Sequence, residues 1–317
     1  MDRRTLYQIY GVIFQTVCLV ANFLALMFLV LLLWDIISKG AEGLTLDFLT
    51  NKPSRMASRS GFWAAIGGSL IVMLTTAFFS IPMGIGAAIY LEEYARDTKF
   101  IRFIKLNIKN LAGVPSIVYG ILGLTLFVRG PWSLLPSLVG LFSESAALSL
   151  RLFLSDFLGD QFLGRSVLAG SLTLALLILP VITIASQEAL RAVPQSFRQA
   201  GFGIGMTRWQ VVWHMTLPVA IPGMLTGIIL ALSRAIGETA PLVMIGALTW
   251  VDFVPGTLMD RFTVMPIQIF NWTSLPQEEF HRLAASGIIV LMTVLLLMNG
   301  LAIYLRGYFR NKLRHLG

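Results

Sequence analysis

Leu217 to Trp250 reads LPVAIPGMLTGIILALSRAIGETAPLVMIGALTW, an apolar run interrupted by only two charges, Arg234 and Glu238. The hydrocarbon core of a bilayer is ~30 Å thick and a helix rises ~1.5 Å per residue, so about 20 apolar residues cross it. This run exceeds that length, and lipid rather than water is the solvent it fits. Arg234 and Glu238 stand at i and i+4, on one helix face roughly 6 Å apart. The midpoint of the run falls near residue 234, so the pair is expected close to mid-membrane, where charge is costly and by default marks a pathway. The plainer alternative is an internally neutralised ion pair packed between helices. Gly237 and Pro241 bracket the pair, and Gly237-Glu-Thr-Ala-Pro241 is expected to break or kink the helix. Broken helices with charge at the midplane are how transporters build substrate sites. Gly223 and Gly227 form a GxxxG on the same helix, suited to close packing against another span.

The rest of the chain has the same character. Only 13% of its 317 residues are charged and 56% are hydrophobic, against roughly a quarter charged in soluble domains; mean hydropathy is +0.78. The 24 Lys+Arg and 16 Asp+Glu cannot give such a chain a hydrated skin, which excludes a soluble enzyme and a disordered chain. Five further runs are long enough to span: Tyr10–Trp34, Phe62–Tyr90, Leu111–Val128, Ser166–Ala185 and Leu283–Leu305. The first exceeds the ~7–15 apolar residues of a signal-peptide core and no small-x-small site follows, so it reads as an uncleaved anchor. Pro82 and Pro115 are expected to kink spans two and three. Ser274, Pro276 and Glu278-Glu279 read as the start of a helix leading into the last span.

Pro131–Leu154 is apolar enough to compete as a seventh span, and the positive-inside rule decides the matter. With six spans and the N-terminus inside, 14 Lys/Arg lie inside and nine outside, while five acidic residues lie inside and ten outside. A seventh helix would leave ten Lys/Arg inside and twelve outside. The expected fold is therefore an all-α polytopic membrane protein with six transmembrane helices and both termini cytoplasmic. Residues 129–165 become a long outer loop with an apolar, re-entrant part. The same distribution accounts for the net charge of +8 without nucleic acid.

Sites for other chemistry are missing. Cys18 is the one cysteine and lies within the first span, so neither an intramolecular disulfide nor a thiolate metal site is available. His214, His281 and His315 occupy separate loops or the tail, and there is no HExxH, no GxSxG and no Gly-Lys dipeptide for a Walker A loop. Gly201-Phe-Gly-Ile-Gly205 lacks the strand and spacing of a nucleotide fingerprint. No catalytic residue, metal ligand or cofactor site is expected, and ATP hydrolysis would have to come from a partner.

Between spans four and five lies SQEALRAVPQSFRQAGFGIGMTRWQVVWHMTLP, residues 186–218. Two amphipathic stretches, Gln195–Phe202 and Thr207–Met215, are joined through Gly203 and Gly205, and Gly205 suits a position needing φ > 0 or close backbone approach. Trp209, Val212 and Trp213 recur at helical spacing as an apolar stripe. Pattern alone leaves two readings open, an interfacial helix on the lipid surface and a docking element for a cytoplasmic partner.

Gln199-Ala200-Gly201, then Gly205, then Met215-Thr216-Leu217-Pro218 resembles the EAA loop of ABC importer permeases, with Gln199, Gly201 and Met215 departing from that family's Glu, Ala and Ile. Gly113-Val-Pro-Ser-Ile-Val-Tyr-Gly120, Glu188-Ala-Leu-Arg-Ala-Val-Pro194, Arg234-Ala-Ile-Gly-Glu-Thr-Ala-Pro241, Pro266-Ile-Gln-Ile-Phe-Asn-Trp272 and Pro276-Gln-Glu-Glu-Phe280 resemble the PstA-type permeases of bacterial phosphate ABC importers. The resemblance runs from about residue 62 to the last span. It implies a type I importer permease with a MetI-like transmembrane domain over 61–305. Residues 1–60 would be an added helix and outer loop, and 306–317 a basic tail, all in the bacterial inner membrane. It further implies a heterodimer with a PstC-type permease, a PstB-type ATPase dimer carrying the ATP and Mg, and a periplasmic or lipid-anchored phosphate-binding protein. A phosphate-signalling regulator is a further partner it allows.

Under this resemblance the loop couples to the ATPase. Trp209 and Trp213 would anchor in a pocket, as buried aromatics do at binding hot spots, with Arg198 and Arg208 at the rim. The substrate pathway would comprise Arg234, Glu238, Thr239, Ser116 and Tyr119, with Ser80 another residue able to face it. Arg can bind phosphate oxygens bidentately. Glu238 could accept the O–H that phosphate keeps at neutral pH and sulfate lacks, or it could restrain Arg234. A permease for sulfate or molybdate, and a membrane component acting mainly in phosphate sensing, are the other readings. A secondary transporter would normally show an inverted repeat and its own coupling carboxylates, and no such repeat is visible.

Overall fold

The computed structural model describes residues 3–130, 145, 148–149, 162–247 and 250–314. Their order is α1 (Arg3–Gly40), α2 (Leu46–Thr50), α3 (Trp63–Ile89), α4 (Lys99–Ala112), α5 (Ser116–Gly123), α6 (Val167–Arg191), α7 (Gln195–Gly203), α8 (Leu217–Gly237), α9 (Ala240–Ile245), α10 (Met265–Thr273) and α11 (Glu278–Arg314). Wide π-helical turns extend α3 through Tyr90–Tyr94 and α5 through Leu124–Val128, and lead from Arg208–Gln210 into α8 through Val211–Thr216.

Among the described residues, five helices are long and apolar enough to cross a membrane, and a sixth crossing requires a bent pair to count as one. That pair corrects the third span. The sequence reads Leu111–Val128 as one span kinked at Pro115, and the chain there turns by a full 102° between Lys99–Ala112 and Ser116–Val128, so that Leu111 and Ala112 belong to the preceding helix. Pro115 explains the break: it has no amide hydrogen for a helical bond, and it disfavours the helical conformation at Val114 before it. The apolar segment after the turn, Ser116–Val128, is about 20 Å long, shorter than the ~30 Å hydrocarbon core of a bilayer. The fifth span is also divided, as its Gly237–Pro241 segment leads one to expect.

Helix α6 is the hub, packing on α3, α8, α5 and α4. Its core with α8 holds Leu177, Ile178, Ile182, Met224 and Ile228, and small residues bring the two helices close at one side of it. A methyl group at Gly223 would stand 2.9 Å from Ala189 Cβ, and one at Gly227 would collide with Ala185. The GxxxG thus presses α8 onto α6 at backbone distance, the arrangement that favours association inside lipid. Helix α1 is mostly exposed and meets α11, where Ser286 Oγ donates to the Gly40 carbonyl at 2.8 Å. Beside that contact Phe48, Phe62 and Trp272 form an aromatic cluster with centroids 5.4 to 5.9 Å apart, which ties the loop after α1 to α3 and α10. The re-entrant segment expected within 129–165 lies almost wholly outside the described residues.

Candidate functional site

The break in the fifth span is where backbone, charge and depth converge. Arg234 occupies the last turn of α8, where the helix dipole favours a cation. Glu238 leaves the helix with φ −78° and ψ 113°, and α9 restarts at Ala240 with Pro241 in its first turn, a position where the missing amide hydrogen costs nothing. Arg234 Nε donates to Glu238 Oε1 at 3.3 Å, with the two side chains 51% and 20% exposed. That is long for a charge-assisted bond, which is usually ~2.7–2.9 Å. Among the described residues, the terminal guanidinium nitrogens have no protein acceptor.

The register of α8 on α6 sets the depth. Gly223 lies against Ala189 and Gly227 against Ala185, so in this antiparallel pair Arg234 stands level with about residue 178, near the middle of Val167–Arg191. This packing places Arg234 level with the middle of α6. Next to the pair, Ser233 Oγ donates to Asn299 Oδ1 at 2.9 Å, linking α8 to α11. Asn299 was not singled out from the sequence. A lone amide within the apolar run of α11 was the available signal, since such groups bond across helices in lipid.

Two sequence motifs meet at this break. A methyl group on Gly120 would stand 2.6 Å from Pro241 Cα, so α5 and α9 touch at their backbones. Thr239 and Ser116 are half-buried at the starts of α9 and α5. Tyr119 corrects the expectation that it faces the path. Its ring is buried in the α6–α8 core, and its hydroxyl donates to the Leu111 carbonyl at 2.9 Å across the 102° turn. Ser80 is likewise fully buried, its Oγ without a partner among the described residues.

At the other end of the bundle, residues 186–218 form α7, a turn at Gly205 and the entry to α8. Gly205 has φ +81°, the left-handed conformation the sequence points to. Thr207 and Gln210 cap the next helix reciprocally. The stripe of Trp209, Val212 and Trp213 divides: Val212 is buried with Val211, whereas the two indoles stack outward with centroids 5.6 Å apart. The wide turn through Val211–Thr216 accounts for this, because it breaks the regular 3.6-residue repeat. Gly201 is buried, and a methyl group there would stand 2.8 Å from Val211 Cγ2, so Gly rather than Ala lets α7 close on that turn.

Arg198 is a second correction. Expected at an exposed rim, it points inward, its side chain 14% exposed, and pairs with Glu93 at 2.6 Å. The Nη2 that bonds Glu93 also donates to the Leu190 carbonyl, and Nη1 donates to the Val193 carbonyl, each at 2.9 Å. The neighbouring Glu92 takes a two-point contact from Arg191 at 2.8 and 2.9 Å and a third from Lys105 of α4 at 3.0 Å. Glu92-Glu93, unassigned by the sequence reading, therefore bolts the loop to α3; the signal was an acidic pair on an otherwise basic end. Arg208 lies 5.9 Å from the Tyr94 ring centroid. Gln199, Ala200 and Pro218 are exposed, and Leu217 is half-buried.

The family of binding-protein-dependent transport system inner membrane components matches residues 80–315. The phosphate transport system permease protein PstA of Mycobacterium leprae is 30% identical over 290 residues, covering 89% of this chain and 82% of that one. Its counterpart in Yersinia pestis is 29% identical over 278 residues, covering 87% and 83%. Among solved structures, the inward-facing MetNI methionine ABC transporter superposes with a TM-score of 0.55 at 14% identity, over 78% of this chain and 97% of that one; at that identity the likeness shows the fold.

Proposed function

Since the chain belongs to the family of binding-protein-dependent transport system inner membrane components, we propose that it is the membrane-spanning permease of an ATP-driven phosphate importer. The observation that carries this reading is Arg234: a half-exposed guanidinium level with the middle of α6, beside a broken helix, with its terminal nitrogens free of protein acceptors among the described residues. An anion leaving water needs a positive partner, and a planar guanidinium offers phosphate two parallel bonds. Glu238 holds Nε only weakly, so its carboxylate can also accept a phosphate O–H. Sulfate has no such proton and would meet only repulsion there. The PstA relatives support phosphate as the cargo.

In this reading residues 61–305 are the permease core, 1–60 an added helix and outer loop, and 306–317 a cytoplasmic tail. A second, PstC-type permease covers the Arg234 face and completes the path. A PstB-type ATPase dimer, which carries ATP and Mg, docks on the outward-stacked Trp209 and Trp213, and a phosphate-binding protein delivers from the opposite side. The chain itself binds no cofactor.

Uptake by the assembled complex in vesicles tests the site. Arg234→Ala is expected to reduce phosphate uptake to background while the complex still assembles. Near-normal uptake would end the pathway reading. Glu238→Gln is expected to narrow the preference for phosphate over sulfate; an unchanged preference would leave Glu238 only its contact with Arg234.

A further inference from the structure

Helix α4 is unlike the other long helices of the molecule. KFIRFIKLNIKNLA, Lys99–Ala112, carries four cations and no acid, and none of its residues is fully buried. At ~100° per residue, Phe100, Phe103, Ile104, Ile108 and Leu111 fall on one side, and Arg102, Lys105 and Lys109 on the other. The apolar side is only partly consumed by packing: Ile104 and Ile108 are half-buried beside α6, while Phe100 is 69% exposed, Phe103 62% and Leu111 46%. The 102° turn lays α4 across the direction of the segment that enters the membrane, hence close to the membrane plane.

We propose that α4 lies in the headgroup layer of the membrane and binds anionic phospholipid, its phenylalanines in the acyl boundary and Lys99, Arg102 and Lys109 on lipid phosphates. A helix with aromatic residues on one face and basic residues on the other takes this position at a bilayer surface, and anionic headgroups complement its unbroken positive charge. Two cations are free for the task, since Lys99 and Lys109 form no ion pair among the described residues. Arg102 has only an exposed contact with Asp97 at 3.2 Å, worth little in water. Lys105 is different: it turns to Glu92 at 3.0 Å and holds α4 to the cluster that anchors the 186–218 loop. The proposal depends on the membrane location alone and not on phosphate as the cargo.

The experiment uses the full chain with Cys18→Ser and Phe103→Cys, carrying a nitroxide at residue 103, in vesicles of phosphatidylcholine with or without phosphatidylglycerol. Collisions with oxygen are expected to exceed those with a water-soluble nickel chelate. In the unlabelled chain, nitroxide-bearing phosphatidylglycerol is expected to associate in preference to phosphatidylcholine. Each charge removed in the Lys99→Gln, Arg102→Gln and Lys109→Gln series is expected to lower that preference about fivefold, whereas Lys105→Gln leaves it unchanged. A water-accessible label, or a preference indifferent to the three substitutions, would overturn the proposal. So would a label open to water in the lone chain and protected only when partner subunits are added, which would make α4 a protein-docking face.

Discussion

Arg198 and Arg234 show why the surroundings of an arginine matter more than its place in a motif. Both carry a carboxylate partner, but Arg198 is closed over Glu93 and two carbonyls, while among the described residues Arg234 keeps its terminal nitrogens free. Removing one member of an enclosed ion pair strands the other, at a cost of about 3 kcal/mol or more. Glu93→Ala is therefore expected to loosen the 186–218 loop, seen as faster proteolysis there and a lower unfolding temperature, with Arg198→Ala behaving alike. Unchanged proteolysis would mean the pair does not hold the loop. Asp260 gives a pH counterpart. The amides of Thr257 and Gly256 donate to its carboxylate and hold it below the usual aspartate range. A depressed folded value contributes stability above the unfolded value and loses it as pH falls through the folded one. The protection of the Gly256 and Thr257 amides, measured against intrinsic exchange at each pH, is thus expected to fall only in acid below the ordinary aspartate range.

Among the elements, the close packing of α8 on another span was legible in advance, because Gly223 and Gly227 advertise a close face; that the partner is α6 was not. The divided fifth span was legible too, from Gly237 and Pro241. In the third span the break at Pro115 was legible but its angle was not, because hydropathy carries no direction and a right-angle turn leaves no trace in it. The pairing of Arg198 with Glu93, or of Gly120 with Pro241, joins positions more than a hundred residues apart, which periodicity along the chain cannot supply. The second of these gives a test at this scale. Gly120→Val would drive a side chain into the Pro241 backbone, and overpacking of this kind costs about 1–3 kcal/mol. It is expected to lower the unfolding temperature and cut uptake by displacing the broken segment. Gly237→Ala meets open space and is expected to do neither.

For the whole molecule, charge placement tells the story that composition began. The loop end gathers Glu92 with Arg191 and Lys105, and next to it Glu93 with Arg198, into two adjoining clusters, while at the break in the fifth span Arg234 and Glu238 form a partly exposed pair. The proposed coupling to an ATPase would use both features, a stiff element that takes force at the membrane surface and a charged break within the fifth span. The most direct test of ATP-driven import is radiolabelled phosphate uptake by the reconstituted complex, comparing wild-type ATPase partners with hydrolysis-dead ones. Uptake is expected with the wild-type partners and ATP, and none with the dead ones. Phosphate accumulation that continues without ATP hydrolysis would contradict ATP-driven import.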